Sequence, residues 1–360
     1  MFAPAPPSRS GRLRAHARAA GVLAQTLDVP GTRRLGGSGA ELEEGALGAW
    51  PCTVVRPRTP PPWPAILFAN GATPDGRAHP GARRFMSSLA RAGHVVFVPD
   101  LPGIANGVMS LETLAAAVEC ATAGADAVET RAGRIGLVGV SIGGTLALLV
   151  ASVPELAPRI SVVAAIAPFT DLEKVMMLAT TGMYQGSGGP EPYPVPPSLA
   201  LGLARSLVAT LSSTPDVRAL AFALERLDPL ARDPLRALRE SPCRSLGPDA
   251  SNAQALLLNR DPSRFAELYA ALPEDVRRVV AMLSPLRSAA RLTAPVEIAT
   301  APRDKYFPLA ESLALQRDGR HVRITVTSAL AHATPRMSLG NLVALAQLEG
   351  FFARSLGAAS

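Results

Sequence analysis

A chain of 360 residues that is 48% hydrophobic and 18% charged is long enough to bury a large core and too apolar to be globally disordered. Its net charge of +7 comes with only 4% aromatic residues, and the cations are almost all arginines scattered along the chain, with Lys174 and Lys305 the only lysines. That pattern lacks the clustered, aromatic-interleaved cations of a nucleic-acid surface. Cys52, Cys120 and Cys243 are odd in number, widely spaced and without a C-x-x-C pair, which argues against a disulfide framework and a cysteine zinc site.

Residues 1–45 form a Pro- and Arg-rich basic arm. Arg12, Arg14 and Arg18 are spaced for one face of a short helix. The reading favoured for the arm is a poorly ordered terminus, and the alternative is a weak peripheral contact with an acidic or membrane surface. No apolar h-region follows its charges and no run approaches the ~18 apolar residues of a span. A soluble cytoplasmic protein without a transmembrane segment is therefore expected.

Regular patterning begins near Cys52. CTVVRP is predicted as a strand, and RTPPPWP as a rigid turn, because proline cannot sit in a central strand. PAILFAN is a buried strand ending at Asn70, followed by the turn-rich GATPDGRAHPG. ARRFMSSLARAG has helical spacing and a Gly93 stop. HVVFVPD is another buried strand, Leu111 to Arg131 a long helix, Ile135 to Val140 a strand, and ISVVAAIAPFTD the next strand. Alternating strands and helices predict an α/β fold, a doubly wound, mostly parallel sheet.

The pattern changes near residue 173. Gly182 to Pro197 is a Gly/Pro-rich loop carrying Tyr184 and Tyr193, and the stretch from there to about residue 285 reads as helices only. Thr214-Pro215-Asp216, Asp261-Pro262 and Leu272-Pro273-Glu274-Asp275 have the proline and acids of helix starts. The predicted organisation is thus the arm 1–45, a first core segment 46–172, a helical cap 173–285, and a second core segment 286–360. The second core segment holds the strands PVEIATAPRD and HVRITVTSALAH and a closing helix.

Gly139-Val140-Ser141-Ile142-Gly143 joins a buried strand to a small-residue helix. This G-x-S-x-G spacing fits a sharp turn that exposes a serine hydroxyl at a helix N-terminus. Gly139 and Gly143 are needed where backbones approach too closely for a side chain. A dinucleotide loop would need glycine at 141, and a P-loop would need Gly-Lys-Ser/Thr.

Ligands bind at the carboxyl ends of strands in open α/β sheets. The predicted ends there are Asn70, Asp100, Ser141, Thr170-Asp171, Asp304 and His332. A serine hydroxyl needs a base to become nucleophilic, and the base needs an orienting carboxylate. His332 is the best-placed base, since His16 lies in the arm, His79 in a loop, and His94 and His321 before strands. Asp304 is the best orienter, Asp171 its rival, and Asp100 a brace for its own loop.

Ser141 in G-V-S-I-G, Asp304 in D-K-Y-F-P and His332 after the last strand resemble the α/β-hydrolase superfamily, over about 50–172 and 286–354. The resemblance implies an eight-stranded sheet, a cap inserted after the strand that follows the elbow, and an oxyanion hole built from backbone N–H groups. One would come from Ile142 and the other from Ala72 or Gly71, where many members have His-Gly and this chain has Asn70-Gly71-Ala72. The histidine's usual G-x-x-H is here Ala329-Leu330-Ala331-His332. The implied activity is cofactor-free and metal-free hydrolysis of a small-molecule carboxylic ester through an acyl-enzyme on Ser141. An acyl transfer, a thioesterase or amidase reaction, or a non-catalytic binding scaffold are the alternatives. Met176, Met177, Met183, Tyr184, Phe222, Phe265 and Tyr269 supply a cap core, a minority of them an acyl pocket.

Overall fold

The computed structural model describes residues 9–29, 39–186, 189–335 and 341–360. Its centre is an eight-stranded sheet. In chain order the strands are β1 (Ala40–Leu47), β2 (Trp50–Pro57), β3 (Trp63–Ala69), β4 (Val95–Pro99), β5 (Thr130–Val140) and β6 (Ile160–Ile166). A small hairpin of β7 (Met183–Gly186) and β8 (Gly189–Pro192) comes next, and then β9 (Val296–Thr300) and β10 (Val322–Val326) complete the sheet. The spatial order is β1-β2-β4-β3-β5-β6-β9-β10. β2 runs antiparallel to β1 and to β4, and the remaining neighbours are parallel. β3, β4, β6 and β9 are buried along their whole length. Continuous apolar runs such as AILFA and SVVAAI are what a sheet covered by helices on both faces requires.

Two apolar layers sandwich the sheet. On one face, helices Pro80–Arg91 and Leu342–Ala359 bring Phe85, Phe351 and Phe352 onto Ile66, Phe68 and Val138. Phe85 meets Phe68 edge-on at 5.1 Å. On the other face, helices Leu111–Asp126 and Ile142–Ala151 pack Cys120, Leu146 and Val150 against Leu67, Phe97 and Leu137. Each such fully buried large side chain contributes roughly 1.5–3 kcal/mol. Local signals set the helix starts. Ser110 and Thr113 form a reciprocal capping box, and Thr214 accepts the Val217 N–H ahead of Pro215.

Three expectations are corrected. First, the arm 1–45 is not a loose terminus over its described part. Arg9–Thr26 is a helix packed on Leu342–Ala359 and on Pro80–Arg91, with Ala19, Val22 and Leu23 buried. Ala19, Val22 and Leu23 make a buried i, i+3, i+4 stripe, while Arg12, Arg14 and Arg18 stay outside. Residues 1–8 and 30–38 of the arm lie outside the described residues. Second, residues 40–47 form β1. AELEEGAL has no apolar alternation to betray a strand, and it is largely exposed. Its ladder to β2 and the ion pair of Glu43 with Arg56 hold it. Third, the Gly182–Pro197 loop contains the β7–β8 hairpin, whose four residue pairs are cross-strand bonded rather than apolar-patterned. The rest of 173–285 is helical in the described residues, including Pro197–Ala209, Pro215–Glu225, Pro248–Leu258 and Glu274–Met282. No helix among the described residues is long and apolar enough to cross a membrane.

His94 precedes β4, away from the carboxyl ends of the parallel strands, and is fully buried. Burial, and then the nearby Arg18 and Arg131 guanidinium groups, push its imidazole down from 6.5 to about 4. The unfolded chain therefore binds a proton between those values that the fold does not, so stability falls as pH drops from about 6.5 towards 4. The loss between pH 7 and 4.5 is expected to be about 2 kcal/mol smaller in His94→Leu than in the parent, measured by denaturant unfolding at both pH values. Equal losses would contradict this.

Candidate active site

β5 ends at Val140, and the next residue, Ser141, has φ 55° and ψ −123° before the helix Ile142–Ala151 begins. A serine in this left-handed region is strained, and it persists because its surroundings dictate it. The surroundings are close backbones. A Cβ on Gly139 would overlap the Gly143 carbonyl, and one on Gly143 would overlap the carbonyls of Ala69 and Asn70. The Ser141 N–H donates to the Ile166 carbonyl at 2.7 Å, tying the elbow to β6. The two glycines thus let the turn nest between β3 and its own helix.

His332 arrives from the other end of the chain. β10 stops at Val326, earlier than expected, and the chain makes a bend at 327–329 on its way to His332. Thr327 pins that bend: its hydroxyl donates to the Ala344 carbonyl at 2.7 Å and accepts the Ala329 N–H at 3.2 Å. The residue with positive φ is His332 itself, at 56°. Ala329 does not need that conformation, which is why alanine stands where G-x-x-H would have glycine.

The structure brings Ser141, His332 and Asp304 together. Nε2 of His332 lies 2.9 Å from Ser141 Oγ, and Nδ1 lies 2.8 and 2.9 Å from the two oxygens of Asp304. Asp304 Oδ1 also accepts the backbone N–H groups of Tyr306 at 2.8 Å and Phe307 at 3.2 Å, so the carboxylate cannot rotate away. The imidazole packs against Tyr306, 4.3 Å between centroids, and Phe307, 5.7 Å, and these two rings also contact each other. Asp304 and His332 are buried, while Ser141 stays half-buried and reachable. The array can pass the serine proton to a ring whose tautomer the carboxylate sets.

Asp171 is elsewhere. It precedes the helix Leu172–Thr181, is 5% exposed, and lies 3.9 Å from Lys174 Nζ, with no hydrogen bond to His332 among the described residues. Asp100 pairs with Arg77 at 2.7 Å, as a loop brace would. His16 pairs with Glu349, and His79 caps the helix Pro80–Arg91. Gly71 passes against the elbow: a Cβ there would sit 3.2 Å from the Val140 carbonyl oxygen and 3.7 Å from Ser141 Cβ. Asn70 Nδ2 donates to the Gly76 carbonyl at 2.7 Å and so stiffens this loop.

A cavity of about 720 Å³ opens over Ser141, with Gly71, Ala72, Ile142 and His332 in its wall. The matching sequence model is that of the alpha/beta hydrolase family, over residues 66–333. The chain belongs to the α/β hydrolase family. No curated protein matches the sequence. Among solved structures, this α/β hydrolase resembles acylaminoacyl peptidase from Pyrococcus horikoshii, with 15% identity over 89% of this chain and 41% of that one and a TM-score of 0.49. It resembles Est1E from Butyrivibrio proteoclasticus, with 13% identity, 88% and 99% coverage and a TM-score of 0.49. Esterase B from Lactobacillus Rhamnosis aligns at 14% identity over 96% of both chains, also with a TM-score of 0.49. The chain spans only about two fifths of the length of the peptidase.

Sequence reasoning missed which cap residues face the α/β hydrolase's cavity. Met176, Met177, Met183, Tyr184, Phe222, Phe265 and Tyr269 do not line it. Met176, Tyr184 and Phe265 are buried in packing, and Phe222 is exposed. The stretch 173–285 instead contributes Leu199, Gly202 and Leu203 from the helix Pro197–Ala209. Gly202 lets that helix press on the loop at Gly107, where a Cβ would come within 2.9 Å of the Gly107 carbonyl oxygen. Tyr306 and Phe307, quoted only as part of D-K-Y-F-P, turn out to pack against the His332 ring. Their place directly after Asp304 was the available signal.

Proposed function

We propose that the protein is a serine hydrolase that cleaves a carboxylic ester with an apolar portion through an acyl-enzyme on Ser141. The observation that carries this reading is the continuous hydrogen-bonded series Ser141–His332–Asp304, with Nε2 at 2.9 Å from Oγ. Ser141 attacks the carbonyl carbon as His332 accepts its proton. His332 then returns the proton to the leaving alcohol, and Asp304 holds the ring and stabilises the imidazolium. Developing charge on the carbonyl oxygen is received by the N–H of Ile142, at the start of a helix, and by that of Gly71 or Ala72 in the loop Asn70 stiffens. Water activated by the same histidine releases the acid.

The apolar wall supports the substrate class. Met109, Phe169 and Leu203 line the cavity from one core layer, and Phe68, Phe85 and Phe352 from the other. With a panel of p-nitrophenyl esters of graded chain length, kcat/KM is expected to rise about fourfold per added methylene until the cavity is filled, from roughly 0.8 kcal/mol per buried CH₂. Inertness of both short and long esters, in a protein whose Ser141 still reacts with a fluorophosphonate, would refute the ester assignment.

A further inference from the structure

The β7–β8 hairpin of the cap touches the core through two phenols. Tyr184, on β7, is 4% exposed and donates to Glu311 Oε1 at 2.9 Å. Tyr193, just past β8, donates its hydroxyl to the main-chain carbonyl of Asp304 and takes a backbone bond to Gly182, 2.9 Å from N to O, that closes the hairpin's base. Neither phenol lines the cavity.

Glu311 is an unusual anchor. It is 1% exposed, and its Oε2 accepts the backbone N–H groups of Thr170 and Asp171, each at 2.8 Å. It stands in the helix Leu309–Asp318, which begins just after the Asp304 loop. One carboxyl therefore joins the loop after β6, the helix after Asp304 and the cap hairpin. Fixed there by Tyr184, the hairpin presents Tyr193 to the peptide whose side chain holds His332.

We propose that the cap hairpin is a positioning clamp for the relay, with Tyr193 the positioning residue that locks the Asp304 backbone and so aims its carboxylate at His332. The inference rests on the serine-nucleophile reading of the site. The groups facing His332 are Asp304, Tyr306, Phe307 and Ser141, with Lys305 Nζ beyond, 5.5 Å from the Tyr306 ring centroid. Without the phenolic donor the loop loosens, although the phenol itself is no part of the cavity wall. Asp304 then stabilises the imidazolium less, and the reactive geometry is populated less often.

The test is the rate at which a fluorophosphonate probe labels Ser141 in the full chain, followed against pH, for the parent and Tyr193→Phe. Labelling is expected to slow about five- to tenfold, the worth of one hydrogen bond. The acid limb of the labelling profile is expected to move to lower pH, with the thermal midpoint little changed. Labelling at the parental rate, or slower labelling with an unmoved acid limb, would overturn the clamp while leaving the nucleophile assignment standing. A parent protein that the probe does not label would overturn both.

Discussion

Ser141→Ala is expected to remove fluorophosphonate labelling completely and to cut ester turnover by about 10⁶, the size of effect seen when a nucleophile is deleted from a serine relay. The substitution deletes one hydroxyl at a half-buried position and leaves the elbow's close contacts, which belong to Gly139 and Gly143, untouched. The variant should therefore unfold at nearly the parental temperature. Mass spectrometry of the probe-treated protein reads the outcome directly. Label retained on the variant would move the nucleophile elsewhere and remove the basis of the proposed mechanism.

The second large effect concerns the acid. Asp304→Asn is expected to lower kcat by about 10⁴, because an amide in that place favours the wrong imidazole tautomer. The amide keeps the size of the carboxylate, and its oxygen can still accept the Tyr306 and Phe307 N–H groups now held by Asp304 Oδ1. The loop around residue 304 thus survives and the loss falls on catalysis. Asp171→Asn serves as the comparison, since Asp171 has no hydrogen bond to His332 among the described residues. Its turnover should stay within a few-fold of the parent. The reverse ranking would make Asp171 the orienting group and would require the loop after β6 to move towards the base.

These expectations differ in how far the sequence alone could carry them. The elbow was legible because its constraint is local: a strand, a serine flanked by glycines and a helix lie within a single 19-residue stretch, 134–152. His332 and Asp304 were legible as candidates because strand ends of a parallel sheet share one rim. Asp304 is preferred to Asp171 for its place after the penultimate strand; both follow strands and both are buried, and in the structure it is Asp304 that lies 2.8 Å from Nδ1 of His332. The hairpin and β1 were not legible, and of the N-terminal helix only a short basic face was. AELEEGAL and the Gly182–Pro197 stretch carry no apolar period, and their strands exist through ladder bonds to partners. The docking of the helix Arg9–Thr26 shows only when its stripe of Ala19, Val22 and Leu23 meets the C-terminal helix.

The cap shows the same division. Proline-led helix starts at Pro215, Pro262 and Glu274 were readable from neighbouring residues, because caps are local hydrogen-bonding arrangements. Which helix faces the cavity was not, because every cap helix is apolar on some side.

By itself, then, the order of residues determined the alternation of strand and helix, the strained serine turn and the set of polar side chains available at the sheet's rim. Each of these depends on contacts between near neighbours in the chain. Only the tertiary structure decided how closely the preferred carboxylate meets the histidine, which residues of 173–285 wall the cavity and that Tyr193 reaches the Asp304 backbone. Ser141 and His332 are 191 residues apart, and Tyr193 and Asp304 are 111 apart. Distances of that kind are set by how whole layers pack, and no local pattern encodes them.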